Sequence, residues 1–266
     1  METPVSNAPA ANGSAGWQQY FDSEAALASW QQLEIPGWAS KWRLLKIHDG
    51  QLVLEPKSSG WFEDNYGGLL SRELTGDFIV TTRLKVEGTA DALPQTAFSL
   101  AGLLVRKPRE FRAETWRPGQ ENWLFFSTGA ATEPGTPQFE IKTTYQSTST
   151  LKIFPAQAGW MELRIVRQEE IFSLFYRYDG QPWQLLDQFI RPDLPATLQV
   201  GLTAYADWPS VAEVYPDYLR YNRHGTPTDH ADLRATFAWL AYRKPLVDKP
   251  LPLATLRPEQ WQDFTS

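Results

Sequence analysis

The stretch "DFIVTTRLKVEG", residues 77–88, alternates without a break. Phe78, Val80, Leu84 and Val86 share a face with Thr82, while Ile79, Thr81, Arg83 and Lys85 share the other. Successive side chains of a strand point to opposite faces, so this pattern reads as a half-buried strand. The same reading recurs outward along the chain. "WRLLKIHDGQLVLEP" (42–56) is two short runs joined at Asp49-Gly50, a strong hairpin signal. "AGLLVRK" (101–107) and "NWLFFST" (122–128) are more continuously apolar and read as central strands. "QFEIKTTYQ", "STLKIF", "WMELRIVRQ", "IFSLFYRYDG", "LQVGLTAYA" and "LRATFAWLAYRK" follow, with turn residues between them.

Helix signals are sparse. "DSEAALASW" (22–30) has Asp22 or Ser23 in a capping position, and "RPEQWQDF" (257–264) has Pro258 at its start. Residues 207–232 are polar and interrupted, with no long strand. Many strands, few helices and turn chemistry every ten or so residues predict an all-β, two-sheet antiparallel jelly-roll sandwich. The expected organisation is a disordered leader over 1–16, a β-sandwich over 17–246, and an extended Pro-rich tail over 247–266 packed on the same domain.

The 266 residues carry a net charge of -6, which argues against nucleic acid and against an anionic membrane surface. No apolar run reaches transmembrane length. The leader lacks the basic and apolar regions of a signal peptide. With no cysteine and three histidines, neither a thiolate metal site nor a zinc site is expected, and no cofactor is implied. The compartment and the oligomeric state are not fixed by these features. Aromatics make up 14 % of the chain, with 12 Trp. Most belong to a sandwich core; a handful are candidates for platforms that stack on a ligand.

"YRYDGQPWQLLDQ" (176–188) resembles the hairpin of the concanavalin A-like lectin/glucanase superfamily, in which a strand runs into Asp-Gly, a short turn and Trp, here Asp179, Gly180 and Trp183. The runs quoted above follow in the order expected of that fold. The likeness extends to regulation-of-enolase-like domains of unknown function and to sandwich modules attached to β-xylosidases. The resemblance implies the fold and leaves lectin, hydrolase, lyase and accessory module open. Hydrolytic members share an E-x-D-x-x-E strand; the best-placed strand here has Glu140 followed two residues later by Lys142. "SRELTG" (71–76) is similar to part of an alginate-lyase signature, but the second arginine is missing. Arg72 and Glu73 read as an exposed strand end.

The candidate ligand-binding residues fall into four groups. Trp61, Glu63, Asp64 and Tyr66 occupy the glycine-flanked loop "GWFEDNYGG" (60–68), which reads either as a turn or as a sugar site. Arg106 and Glu121 form a polar pair at the mouth of a concave sheet, a placement implied by the resemblance, and Trp123 opens the next strand. Lys142 shares a polar face with Glu140 and Thr144, whereas Tyr145 shares the Phe139 and Ile141 face and is expected in the core. Tyr205 ends a core strand. Asp207, Trp208 and Pro209 stop it, and the aromatic segment beyond, with Tyr215, Tyr218 and Tyr221, reads as a lid or wall. His48, His224 and His230 read as surface residues. The leading expectation is a carbohydrate-recognition sandwich that takes an oligo- or polysaccharide on its concave face. A glycan-active enzyme would draw its acid and base from Glu63, Asp64, Glu121, Glu140, Asp207 or a loop histidine. A protein-interaction domain is the third reading.

Overall fold

Residues Phe78–Gly88 form one strand, and its Phe78, Val80, Leu84 and Val86 are buried between two sheets as the alternation requires. The structure, a computed structural model, describes residues 16–245; the expected leader before Gly16 and the tail from 247 lie outside them. In chain order the strands begin with β1 (Gly16–Tyr20), β2 (Gln31–Gln32), β3 (Trp42–His48), β4 (Gln51–Pro56) and β5 (Gly68–Thr75). Next come β6 (Phe78–Gly88), β7 (Ser99–Arg106), β8 (Trp123–Ala130), β9 (Gln138–Tyr145) and β10 (Thr148–Pro155). The last are β11 (Met161–Gln168), β12 (Ile171–Tyr178), β13 (Gln184–Ile190), β14 (Thr197–Tyr205) and β15 (Leu233–Arg243).

One sheet runs β13-β12-β11-β6-β15-β4-β3, with β1 added against the end of β15. The other runs β10-β9-β8-β7-β14-β5-β2. The pairings within both sheets are antiparallel, so the fold is a two-sheet β-sandwich. Asp49 and Gly50 both take positive φ (50° and 72°), the geometry of a tight hairpin turn, and join β3 to β4. "AGLLVRK" and "NWLFFST" lie in β7 and β8, which are buried on both faces in the middle of the second sheet.

The main core fills the space between the sheets. Leu163, Ile165, Phe172, Leu174 and Phe237 from one side meet Leu103, Val105, Phe126, Phe139, Ile141 and Leu202 from the other. Burying each such side chain contributes about 1.5–3 kcal/mol before entropy is subtracted. A second apolar cluster, with Leu100, Leu104, Phe125 and Tyr205, lies on the opposite face of the second sheet.

Two expectations about exposure are corrected. Tyr145 is 54 % exposed, because it is the last residue of β9 and runs past the cover of the core. Arg72 is half-buried, its guanidinium over the rings of Trp17 (4.5 Å) and Trp30 (4.9 Å); Glu73 is exposed as read. Residues 207–232 contain two short helices, α1 (Trp208–Ala212) and α2 (Tyr218–His224). Asp207 and Asp217 cap them by accepting backbone N–H bonds from Ser210 and Arg220. "DSEAALASW" contains a single 3-10 turn, Glu24–Leu27.

Candidate functional site

The loop between β4 and β5 sorts its residues by direction. Trp61, Asp64 and Tyr66 turn inward over the outer face of the second sheet, whereas Phe62 and Glu63 stay partly exposed. Helix α2 stitches this loop down. Tyr221 donates its hydroxyl to the Tyr66 carbonyl (2.7 Å) and accepts the Gly60 N–H (2.9 Å). Asn222 accepts the Tyr66 N–H (3.2 Å) and donates to the Asp64 carbonyl (2.9 Å).

Beneath the loop lies a closed ion network. Arg106 in β7 donates to both carboxylate oxygens of Glu121, at 2.8 and 3.0 Å, and to Gln199 at 2.8 Å. Tyr66 donates its hydroxyl to Glu121 (2.5 Å) and accepts the Trp116 indole N–H (3.1 Å); Arg109 also donates to Glu121. Burial alone would raise the Glu121 carboxyl, but the two guanidiniums overrule it and hold it below the ordinary carboxylate range. Burial, reinforced by the Glu121 charge, drives the Tyr66 phenol far up, so it remains a donor. The pairing of Arg106 with Glu121 is as expected, but its position is not. Both side chains are fully buried rather than at an open mouth, because Tyr66, Trp38, Phe111 and Trp116 pack over them.

Further along the same face, Lys142 and Glu140 from β9 meet Tyr205 from β14. The Lys142 ammonium lies 3.0 Å from Glu140 Oε1 and 2.8 Å from the Tyr205 hydroxyl, which donates to Glu140 Oε1 at 2.5 Å. Burial lowers the Lys142 pKa against the pull of Glu140, and raises that of Tyr205 well above its usual value. Four buried polar groups associated with this face have no hydrogen-bond partner among the described residues: Glu140 Oε2, the Asn65 amide, and the indole N–H groups of Trp38 and Trp123. Trp123 packs edge-on to Trp61 (5.8 Å), whose own indole donates to Thr203 (2.9 Å).

The exposed part of the site lies at the rim. Glu63 adopts left-handed backbone geometry (φ 53°), with its N–H bonded to Ser149 Oγ at 2.7 Å. Its Oε2 accepts the hydroxyls of Tyr215 (3.0 Å) and Tyr218. Phe62 stands edge-on to Trp208 (5.3 Å) and to Tyr215 (5.9 Å), and Tyr215 edge-on to Tyr218 (5.9 Å). Tyr215 is 37 % exposed. Asp207 is buried and structural: it caps α1, accepts the Ser58 hydroxyl at 2.5 Å and accepts the His230 N–H at 3.0 Å. Asp64 accepts the Gly119 N–H (2.9 Å) and the Ser147 hydroxyl (2.7 Å). Burial raises its pKa while those two bonds oppose the shift.

The twelve candidates therefore divide. Glu63, Trp208 and Tyr218 come together at an accessible rim. Trp61, Asp64, Tyr66, Arg106, Glu121, Trp123, Lys142 and Tyr205 form the covered layer behind it, and Asp207 belongs to the scaffold. Sequence reading missed Phe62 and Trp116. The two aromatics inside the charged run "PREFRAETWRPGQ", Phe111 and Trp116, were the available signal, since such residues need a place to bury.

No family model matches the chain, and no curated protein matches it. Solved structures do. A functionally unknown protein from Saccharomyces cerevisiae aligns at 17 % identity over 83 % of this chain and 99 % of its own, with a TM-score of 0.55. The GH43 BlXynB protein from Bacillus licheniformis aligns at 14 % identity and a TM-score of 0.57, over 90 % of this chain but only 41 % of its own. Lectin I-B4 from Griffonia simplicifolia aligns at 13 % identity and a TM-score of 0.52, over 88 % of this chain and all of its own. Identities this low speak to the fold alone, and the fold shared with these proteins is the two-sheet antiparallel β-sandwich.

Proposed function

We propose that the chain is a carbohydrate-recognition sandwich whose binding surface is the rim formed by Phe62, Glu63, Trp208, Tyr215 and Tyr218. The observation that carries this reading is the Glu63 carboxylate held by two tyrosine hydroxyls within an edge-to-face aromatic group on the surface. Sugar recognition needs flat apolar faces for C–H groups and a few fixed polar atoms for hydroxyls. Here the four bonds from Tyr221 and Asn222 pre-order the loop, which lowers the entropic cost of binding.

Recognition is favoured over hydrolysis by the state of the buried carboxylates. A retaining glycosidase needs two carboxyls about 5–5.5 Å apart and facing substrate. Glu121 and Glu140 are instead enclosed and ion-paired to Arg106, Arg109 and Lys142. A glycan array, followed by affinity electrophoresis with plant and microbial polysaccharides, tests the proposal. Saturable retention that weakens in Trp208→Ala and Tyr215→Ala supports it; silence across both formats rejects it. Release of reducing ends or of unsaturated products would replace it with the enzyme reading.

A further inference from the structure

At the C-terminal end of α2, with none of the aromatic rim residues in its wall, is a cavity of about 250 Å³ lined by Ser40, Lys41, Lys57, Ser58, His224 and Asp229, among others. Its unusual member is Lys41, which is 7 % exposed. Among the described residues its ammonium has one hydrogen bond, to the Tyr221 carbonyl at 3.2 Å, and rests over the Tyr221 ring at 3.9 Å from the centroid. No carboxylate in that set lies within ion-pair distance of it. Buried ammonium groups are normally paired, because an uncompensated charge in a low-dielectric site is costly.

The surrounding groups do not supply the missing anion. Asp229 is already engaged: its Oδ1 accepts from Arg43 (2.8 Å) and from the Ser58 N–H (2.9 Å). Glu34 acts on Lys41 only through its charge and accepts the Ser40 hydroxyl at 3.0 Å. Ser58 gives its proton to Asp207 at 2.5 Å. Lys57 and His224 add donors on the same wall, and Lys57 repels Lys41. An ammonium with two unused N–H donors, a second lysine and an imidazole thus line a cavity slightly smaller than those of drug-sized ligands.

We propose that this cavity binds a small ligand through an oxyanion, either a carboxylate or a sulfate or phosphate group, held by Lys41 and Lys57. The site is separate from the aromatic rim and stands whether or not the rim binds glycans. Burial, helped by Lys57 and opposed by Glu34, lowers the Lys41 pKa from 10.5 to about 7. A bound anion would raise it again, so binding near neutral pH must draw in a proton.

The test is calorimetric titration of the full chain with sodium sulfate and, separately, with glucuronate, at pH 7.5 in two buffers of different ionisation enthalpy. Neither probe titrates there, so proton uptake reports the protein. The expected result is saturable binding of at least one probe with uptake of a fraction of one proton. Lys41→Met should weaken binding by about tenfold or more, and Lys57→Ala by a smaller factor. If Lys41→Met does not fold, the proton uptake of the wild type and the Lys57→Ala result decide. The absence of saturable heat from both probes overturns the proposal, and so does binding without proton uptake that Lys57→Ala leaves unchanged. The two probes distinguish a carboxylate from a sulfate-like ligand.

Discussion

Arg106 and Glu121 meet through two hydrogen bonds, Nε to Oε2 at 2.8 Å and Nη2 to Oε1 at 3.0 Å, with neither side chain exposed. Removing one partner leaves an uncompensated buried charge. Glu121→Gln should therefore cost about 3–5 kcal/mol, measured by chemical denaturation. The pH dependence follows from the lowered Glu121 pKa. A carboxyl with a depressed folded-state pKa contributes stability that is present above its ordinary value of 4.5 and is lost as pH falls through the folded value. Wild type should lose this component below about pH 4.5, and Glu121→Gln should not show it. Equal acid profiles for the two proteins would mean that the pair is not stabilising.

Trp183 packs against two cations on the outer face of the first sheet. The Arg164 guanidinium lies 4.0 Å from its ring centre and that of Arg177 lies 4.7 Å away, and the residue is 8 % exposed. Trp183→Ala should lower stability by about 3–5 kcal/mol, from lost area and lost cation–π contact. Trp183→Phe should recover part of that. An unchanged melting midpoint in the alanine variant would show that the ring does no structural work.

The rim separates binding from scaffold. Tyr215→Ala and Tyr218→Ala should each weaken glycan binding by about 1–3 kcal/mol, the scale of losing an aromatic anchor, with little change in melting. Trp208 also packs on Gly60, so its alanine variant should lose some stability as well. If the tyrosine variants melt early while each folded molecule still binds as wild type, the segment is scaffold.

Lys41 makes a pH prediction of the same sign in a different window. Its folded-state value of about 7 lies below the ordinary 10.5, so the unfolded chain binds more protons between those two values. Stability should therefore rise with pH above 7, by at most about 1.4 kcal/mol per pH unit from this group. Lys41→Met should lack that rise and should be the more stable protein, relative to wild type, at the acid end. Denaturation curves of both proteins at pH 6, 7.5 and 9 (chosen on either side of about 7) would read the difference. Parallel curves would contradict the assignment.

Gly102 lies where β7 passes β8 closely, and a Cβ there would meet the Phe126 carbonyl oxygen at 2.1 Å. Gly102→Ala should destabilise by about 1–3 kcal/mol or more, since the obstruction is backbone and cannot rotate away. A neutral substitution would show that the two strands can separate without cost.

Local pattern determined most of the sandwich. The alternation of residues 77–88 reports which side chains share a face, and Asp49-Gly50 or Asp179-Gly180 reports where a strand turns back. Both are properties of a few neighbouring residues, so they are legible without the fold. The same logic correctly placed Glu140 and Lys142 on one face of β9. It could not say what covers that face, because the covering residues come from far along the chain: Tyr205 reaches Glu140 across 65 positions, and Tyr66 reaches Glu121 across 55. Tyr145 shows the same limit, since the period assigned its side correctly and the end of the sheet left it in water. Helices α1 and α2 are too short to show a helical period, and they hold their shape through caps and contacts with the loop at 60–67. Which carboxylates are sealed, which aromatics reach the surface, and which lysine lacks a counter-charge were decided by packing between segments distant in sequence. Charge burial depends on every group that surrounds a site, and only the tertiary structure brings those groups together.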